Sequence, residues 1–141
     1  MIDYQSYPVE AAQVSTLARR SLGIGYIGLA HYLAKNGVKY DEPEAWKLVH
    51  DLTEAFQYNL LKSSNQLAKD KGPCGYFYRT KYYEGILPID TYKKDVDEIV
   101  PNDLSLDWGA LREDILAYGL RHSTLSAQMP SESSSIVSNA T

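Results

Sequence analysis

Tyr118-Gly119-Leu120-Arg121-His122-Ser123-Thr124-Leu125-Ser126-Ala127-Gln128-Met129-Pro130-Ser131-Glu132-Ser133-Ser134-Ser135 is the stretch on which the reading of this chain turns. It predicts a short strand over residues 121–127, a turn marked by Pro130, and then serines opening a helix. The first turn of a helix carries unpaired N–H groups and a partial positive charge, so it can hold an anion without a basic side chain. Serine hydroxyls add donors at the same place. The outline is that of a phosphate cradle. Its plain alternative is an N-capped helix with a serine-rich tail.

The bulk of the sequence narrows the classes around that stretch. A chain of 141 residues is long enough for one domain with a sizeable core. A net charge of −4 and a pI near 5.3 give no electrostatic ground for nucleic acid or an anionic membrane as partner. One cysteine, Cys74, rules out an intrachain disulfide and a Cys-rich metal site. No apolar signal region and no 18-residue apolar run occurs, so a cytoplasmic setting is expected. The tyrosines scatter without an interleaved basic stripe, which argues against a base-stacking surface.

Outward from the serine stretch the elements read as α/β. A helical segment follows Pro8, and the apolar, glycine-punctuated run 22–27 predicts a buried strand. A short helix over 29–35 then closes at Asn36-Gly37. The strongest element is a helix from Asp41 or Glu42 to Lys71, with apolar residues at Ala45, Leu48, Val49, Leu52, Ala55, Phe56, Leu60 and Leu67. Pro43 suits its first turn, and Gly72-Pro73 stops it. Residues 72–107 are loop-rich, with a turn at Pro101-Asn102-Asp103, and Asp107 caps a further helix ending at Gly119. Two strands cannot complete a sheet around helices of this size, so the fold is expected to be a partial one.

Other motifs are weighed against plainer readings. Gly23-x-Gly25-x-x-Gly28 matches the dinucleotide-binding fingerprint in letters, but adjacent Arg19 and Arg20 stand where a buried strand should lead in. Close backbone packing is the better account of these glycines. Cys74 has no basic cluster beside it in sequence and reads as structural. His31, His50 and His122 lack metal-ligand spacing, so neither a metal site nor a catalytic residue is assigned. Asn139-Ala140-Thr141 is a glycosylation triplet without a secretory context.

Three blocks of the chain resemble one family in order. They are Arg19-Arg20-Ser21-Leu22-Gly23-Ile24-Gly25 with the helix bearing Tyr32-Leu33-Ala34-Lys35, then Gly85-Ile86-Leu87-Pro88-Ile89-Asp90-Thr91-Tyr92-Lys93-Lys94-Asp95, and the stretch from Tyr118 to Ser135. Together they resemble the bacterial and phage class Ia ribonucleoside-diphosphate reductase large (alpha, catalytic) subunit over essentially the whole chain. The resemblance implies a segment, residues 1–141, of a ten-stranded α/β barrel, mostly helical with few strands. It also implies reduction of ribonucleoside diphosphates to deoxyribonucleotides by radical chemistry. The loop Pro130, Ser131, Glu132, Ser133 and Ser134 matches the segment that holds the substrate diphosphate. Ser133 stands where threonine is common, and His122 where asparagine is usual.

The same resemblance implies what this chain does not supply. The family's radical cysteine, its electron-delivering cysteine pair and the nearby glutamate and asparagine have no counterpart here, and Cys74 lies in no matching motif. Allosteric nucleotides, ATP among them, and a radical-bearing small subunit belong to the assembled enzyme, with no cofactor in this segment. The expected partners are the remaining segments of the large subunit, the small subunit and a ribonucleoside diphosphate. A piece from a split, interrupted or truncated gene is expected, inactive and poorly stable alone. The alternatives are a non-catalytic remnant or interaction fragment, and a free-standing nucleotide binder built on the glycines.

Overall fold

Six α-helices and three short 3-10 turns order the chain in the computed structural model, which describes residues 1–100 and 103–140. Helix α1 spans Glu10–Arg19, α2 Leu29–Lys35, α3 Pro43–Lys71, α4 Pro88–Thr91, α5 Trp108–Tyr118 and α6 Glu132–Ser138. The expected helices over 29–35 and from Asp41 or Glu42 to Lys71 are both present. Pro43 occupies the first turn of α3, and its 29 residues reach about 44 Å. The 72–107 region is less irregular than its glycines and prolines imply. It folds into 3-10 turns at Phe77–Arg79, Lys81–Glu84 and Lys94–Glu98, with α4 between the last two. The expected turn at Pro101-Asn102 lies outside the described residues.

The face of α3 that packs is not the one its apolar spacing indicates. Of the eight expected positions only Ala45 is buried; six are half-buried, and Leu67 is 37% exposed. The residues that α3 does bury are Ala45, Glu54, Leu61, Ser64, Asn65 and Ala68. Leu61 joins Leu87, Trp108, Leu111, Ile115, Leu120 and Leu125 in the core. A fully buried leucine stabilises by about 1.5–3 kcal/mol, so this cluster is the main cohesive term. Polar α3 residues then fix how the neighbouring segments sit on it. The Asn65 amide donates to the carbonyls of Asp114 and Gly119 at 3.0 and 2.9 Å.

Local caps set the ends of α5. The Asp107 carboxylate accepts from the Ala110 N–H at 2.9 Å, which meets one of the orphan donors of the first turn. At the other end Gly119 has φ +76°, and a Cβ there would lie 2.8 Å from Pro73 and 3.2 Å from the Phe77 ring. Both conformation and space demand glycine. Arg112 on α5 ties down the 85–90 segment, donating to both Asp90 carboxylate oxygens at 2.7 and 3.0 Å and to the Gly85 carbonyl. Asp90 also accepts from the Leu87 N–H at 2.7 Å. The Arg112 hydrogen bonds, reinforced by that N–H, hold its carboxyl below the usual range.

The two expected strands are corrected. Residues 22–27 and 121–127 do run side by side and parallel, but among the described residues they form one isolated bridge, Ile24 with Ser126, and no strand. Ile24 N–H donates to the Leu125 carbonyl at 2.8 Å, and Ala127 N–H returns a bond to the Ile24 carbonyl at 3.0 Å. Leu22 N–H adds a bond to Thr124 at 2.9 Å. The physical reason is the lack of flanking neighbours. A parallel pair with nothing on either side has too few ladder bonds and too little covered surface to stay regular.

Candidate functional site

The glycines of the apolar run serve this seam. A Cβ on Gly25 would collide with the Ala127 carbonyl oxygen and lie 2.7 Å from Met129 Cε. On Gly23 it would meet Ala127 Cβ at 3.3 Å. Both therefore permit close backbone approach, as the packing account requires, while α2 starts only after Gly28. The seam carries the chain from the core at Leu125 to the serine loop.

Two further contacts aim that segment. Ser64, buried in α3, shares a 3.0 Å hydrogen bond with His122 Nδ1 and accepts from the His122 backbone N–H at 3.2 Å. Its carbonyl accepts from the Arg121 N–H at 3.1 Å. Burial lowers the His122 pKa, with the Arg20 and Arg121 charges adding to the effect, so the ring is held neutral against α3. The sequence reading passed over Ser64 and Asn65. The available signal was Ser63-Ser64-Asn65 in mid-helix, residue types that weaken a helix unless they bond to something else.

Beyond the seam, Pro130 and residues 132–134 are exposed, and Ser131 is half-buried at the N-cap of α6. The first main-chain bond of the helix is Ser135 N–H to the Ser131 carbonyl at 2.7 Å. Among the described residues the N–H groups of Glu132, Ser133 and Ser134 therefore have no acceptor in the chain. The hydroxyls divide. Ser134 donates to the Ser131 carbonyl at 3.3 Å, and Ser135 to Glu132 at 2.7 Å. Ser131 and Ser133 have no such bond among the described residues. Residues 131–134 thus offer donors to solvent, with the Ser134 hydroxyl turned to its own backbone.

The remaining candidates fall elsewhere. Cys74 is 3% exposed and burial raises its thiol pKa, which suits a structural residue. His31 is exposed on α2 and His50 half-buried on α3, far apart in sequence from His122. No group of three or more His, Cys, Asp or Glu side chains among the described residues could hold a metal ion. None of the described helices is long and apolar enough to cross a membrane.

A parallel seam held by close-packed glycines leads to a donor-rich serine turn. The chain belongs to the ribonucleotide reductase barrel-domain family, whose model matches it from residue 1 to residue 141. It is 60% identical over all 141 residues to the ribonucleoside-diphosphate reductase subunit alpha of Haemophilus influenzae, covering 19% of that protein. It is 57% identical over 140 residues to ribonucleoside-diphosphate reductase 1 subunit alpha of Escherichia coli, covering 99% of this chain and 18% of that one. The subunit alpha of phage T4 is 48% identical over 141 residues, again 18% of its length. The chain thus spans about a fifth of the length of the curated relatives it matches.

Proposed function

We propose that this chain is part of a ribonucleoside-diphosphate reductase large subunit and supplies its substrate-diphosphate loop. The observation that carries the reading is the full-chain match to subunit alpha proteins, at 60% identity to one of them. In this reading the N–H groups of residues 132–134 and the hydroxyls of Ser131 and Ser133 receive the diphosphate oxygens. The helix dipole favours the negative charge there. Pro130 sets the entry to the turn, and Glu132 presents its backbone rather than its carboxylate. Reduction itself needs cysteines that this chain does not contain, so this segment positions substrate and does no redox chemistry.

The α/β barrel belongs to the same proposal. The seam between residues 22–27 and 121–127 contributes two of its parallel strands, which become regular once neighbours pair with their outer edges. The half-buried stripe of α3 from Leu48 to Leu67 is the face that the rest of the subunit covers. A radical-bearing small subunit, allosteric nucleotides such as ATP and a cytoplasmic setting come with this assignment. Co-expression of the chain with the complementary parts of a large subunit, assayed for cytidine diphosphate reduction with a small subunit, tests it. Activity that needs this chain supports the reading; no activity despite stable association would mark a non-catalytic fragment.

A further inference from the structure

A second donor-rich place lies at the start of the 121–127 segment. At the end of α1, Arg19 lines a hollow of about 400 Å³ together with Arg79, Lys81, Thr91, Ser123 and Thr124. Four separate chain segments bring these side chains together. No carboxylate lines the hollow, and none of the three cations has an ion-pair partner within 4.0 Å among the described residues. Glu10 shares an adjoining depression with Arg19 but does not pair with it.

The cations are also held together rather than dispersed. The Arg79 guanidinium lies 4.5 Å from the centre of the Tyr76 ring, and the Arg19 guanidinium 5.4 Å from the same centre. One aromatic ring thus contacts both guanidinium groups, and an anion in the hollow would meet both exposed charges at once. Hydroxyl donors complete the set. Thr91 and Thr124 have no side-chain hydrogen bond among the described residues, whereas Thr80 is occupied by the Phe77 carbonyl at 2.7 Å. Two guanidinium forks, an ammonium and two free hydroxyls offer more donors than one carboxylate can accept.

We propose that this hollow binds a phosphate-bearing small molecule, with Arg19, Arg79 and Lys81 meeting the phosphate charge and Thr91 and Thr124 its remaining oxygens. The site is separate from the serine loop and does not depend on that loop's role.

The test is titration of the full ¹⁵N-labelled chain with inorganic phosphate and, in a parallel arm at equal ionic strength, with acetate. Saturable shifts at the amides of Thr80, Ser123 and Thr124 are expected with phosphate and not with acetate. The double variant Arg79→Ala/Lys81→Ala should weaken phosphate at least about tenfold, and the milder Lys81→Gln a few-fold, from the loss of charged hydrogen bonds. Ser133→Ala should leave this binding unchanged. Shifts confined to residues 132–134, equal response to acetate, or undiminished binding in Lys81→Gln would each overturn the proposal. Weakened association with the rest of a subunit in these variants, without phosphate binding, would overturn it too, by making the hollow a seat for a protein carboxylate.

Discussion

Glu54 accepts a 2.9 Å hydrogen bond from the Trp108 indole N–H, joining the middle of α3 to the first residue of α5. The carboxylate is 6% exposed and also accepts from the Ser105 N–H at 2.9 Å, the Leu106 N–H at 3.0 Å and the Ser105 hydroxyl at 2.8 Å. Glu54→Ala leaves all four donors without their acceptor. It should destabilise the chain by about 3 kcal/mol, read as a lower urea midpoint by tryptophan fluorescence. Trp108→Phe removes only one donor and a little volume, at a cost of about 1–2 kcal/mol.

Acid should act through the same residue. Burial alone would raise the Glu54 pKa, but the hydrogen bonds from Leu106, Trp108 and Ser105 outweigh it and hold the carboxyl at about 2, below its ordinary 4.5. The unfolded chain therefore takes up the proton first. The contribution is complete above pH 4.5 and is lost as pH falls from there toward 2, amounting to about 3 kcal/mol. Amide protection in a peptide covering residues 103–111, taken relative to the intrinsic exchange rate at each pH, should fall over that window. In Glu54→Gln that fall in protection should be absent.

Asn65 should be as sensitive as a core leucine. Its amide is 2% exposed and meets two carbonyls at the end of α5. Asn65→Ala removes both bonds and should cost about 2 kcal/mol in unfolding free energy. Asn65→Asp should cost more, because a carboxylate would face the Asp114 and Gly119 carbonyl oxygens. Equal stability of the two variants would refute this account.

The seam should distinguish its two glycines. Gly25→Ala drives a methyl into the Ala127 carbonyl and the Met129 side chain, so the backbone must part there. Amide protection at Ile24 and Ala127 should fall by about tenfold or more, the scale of about 1–3 kcal/mol of overpacking. Gly23→Ala meets only the Ala127 methyl at 3.3 Å and should lose far less.

Within the proposed loop the serines should be unequal. In an assembled reductase Ser133→Ala should raise the KM for diphosphate substrate about fivefold, the effect of one hydrogen bond worth about 1 kcal/mol. Ser134→Ala should change it less, since that hydroxyl already donates to the Ser131 carbonyl. Steady-state kinetics of the two variants give the comparison.

Helix boundaries were legible because punctuation fixes them locally: Pro43 and Gly72 bracket α3, and Asp107 and Gly119 bracket α5. The helix after the Pro130 turn was legible for the same reason, a proline and a run of hydroxyls in one place. What escaped depends on distant partners. The apolar spacing from Leu48 to Leu67 identifies a face but not what lies against it, and the face that packs is marked by Glu54, Ser64 and Asn65. Their partners lie about 50 or more residues away in the chain. The strands failed similarly, since a short apolar, glycine-punctuated run specifies extended backbone while a ladder needs a second and third segment.

The lone bridge between Ile24 and Ser126 has a consequence for assembly. It acts as a phase mark. A strand added to either outer edge must align with a pairing already set, because slipping by one residue would turn every side chain of the newcomer to the wrong face. The close fit of Gly25 under Ala127 and Met129 resists such a slip from within. In the proposed barrel this short contact, too small to count as a sheet, would fix the alignment of the larger one built around it.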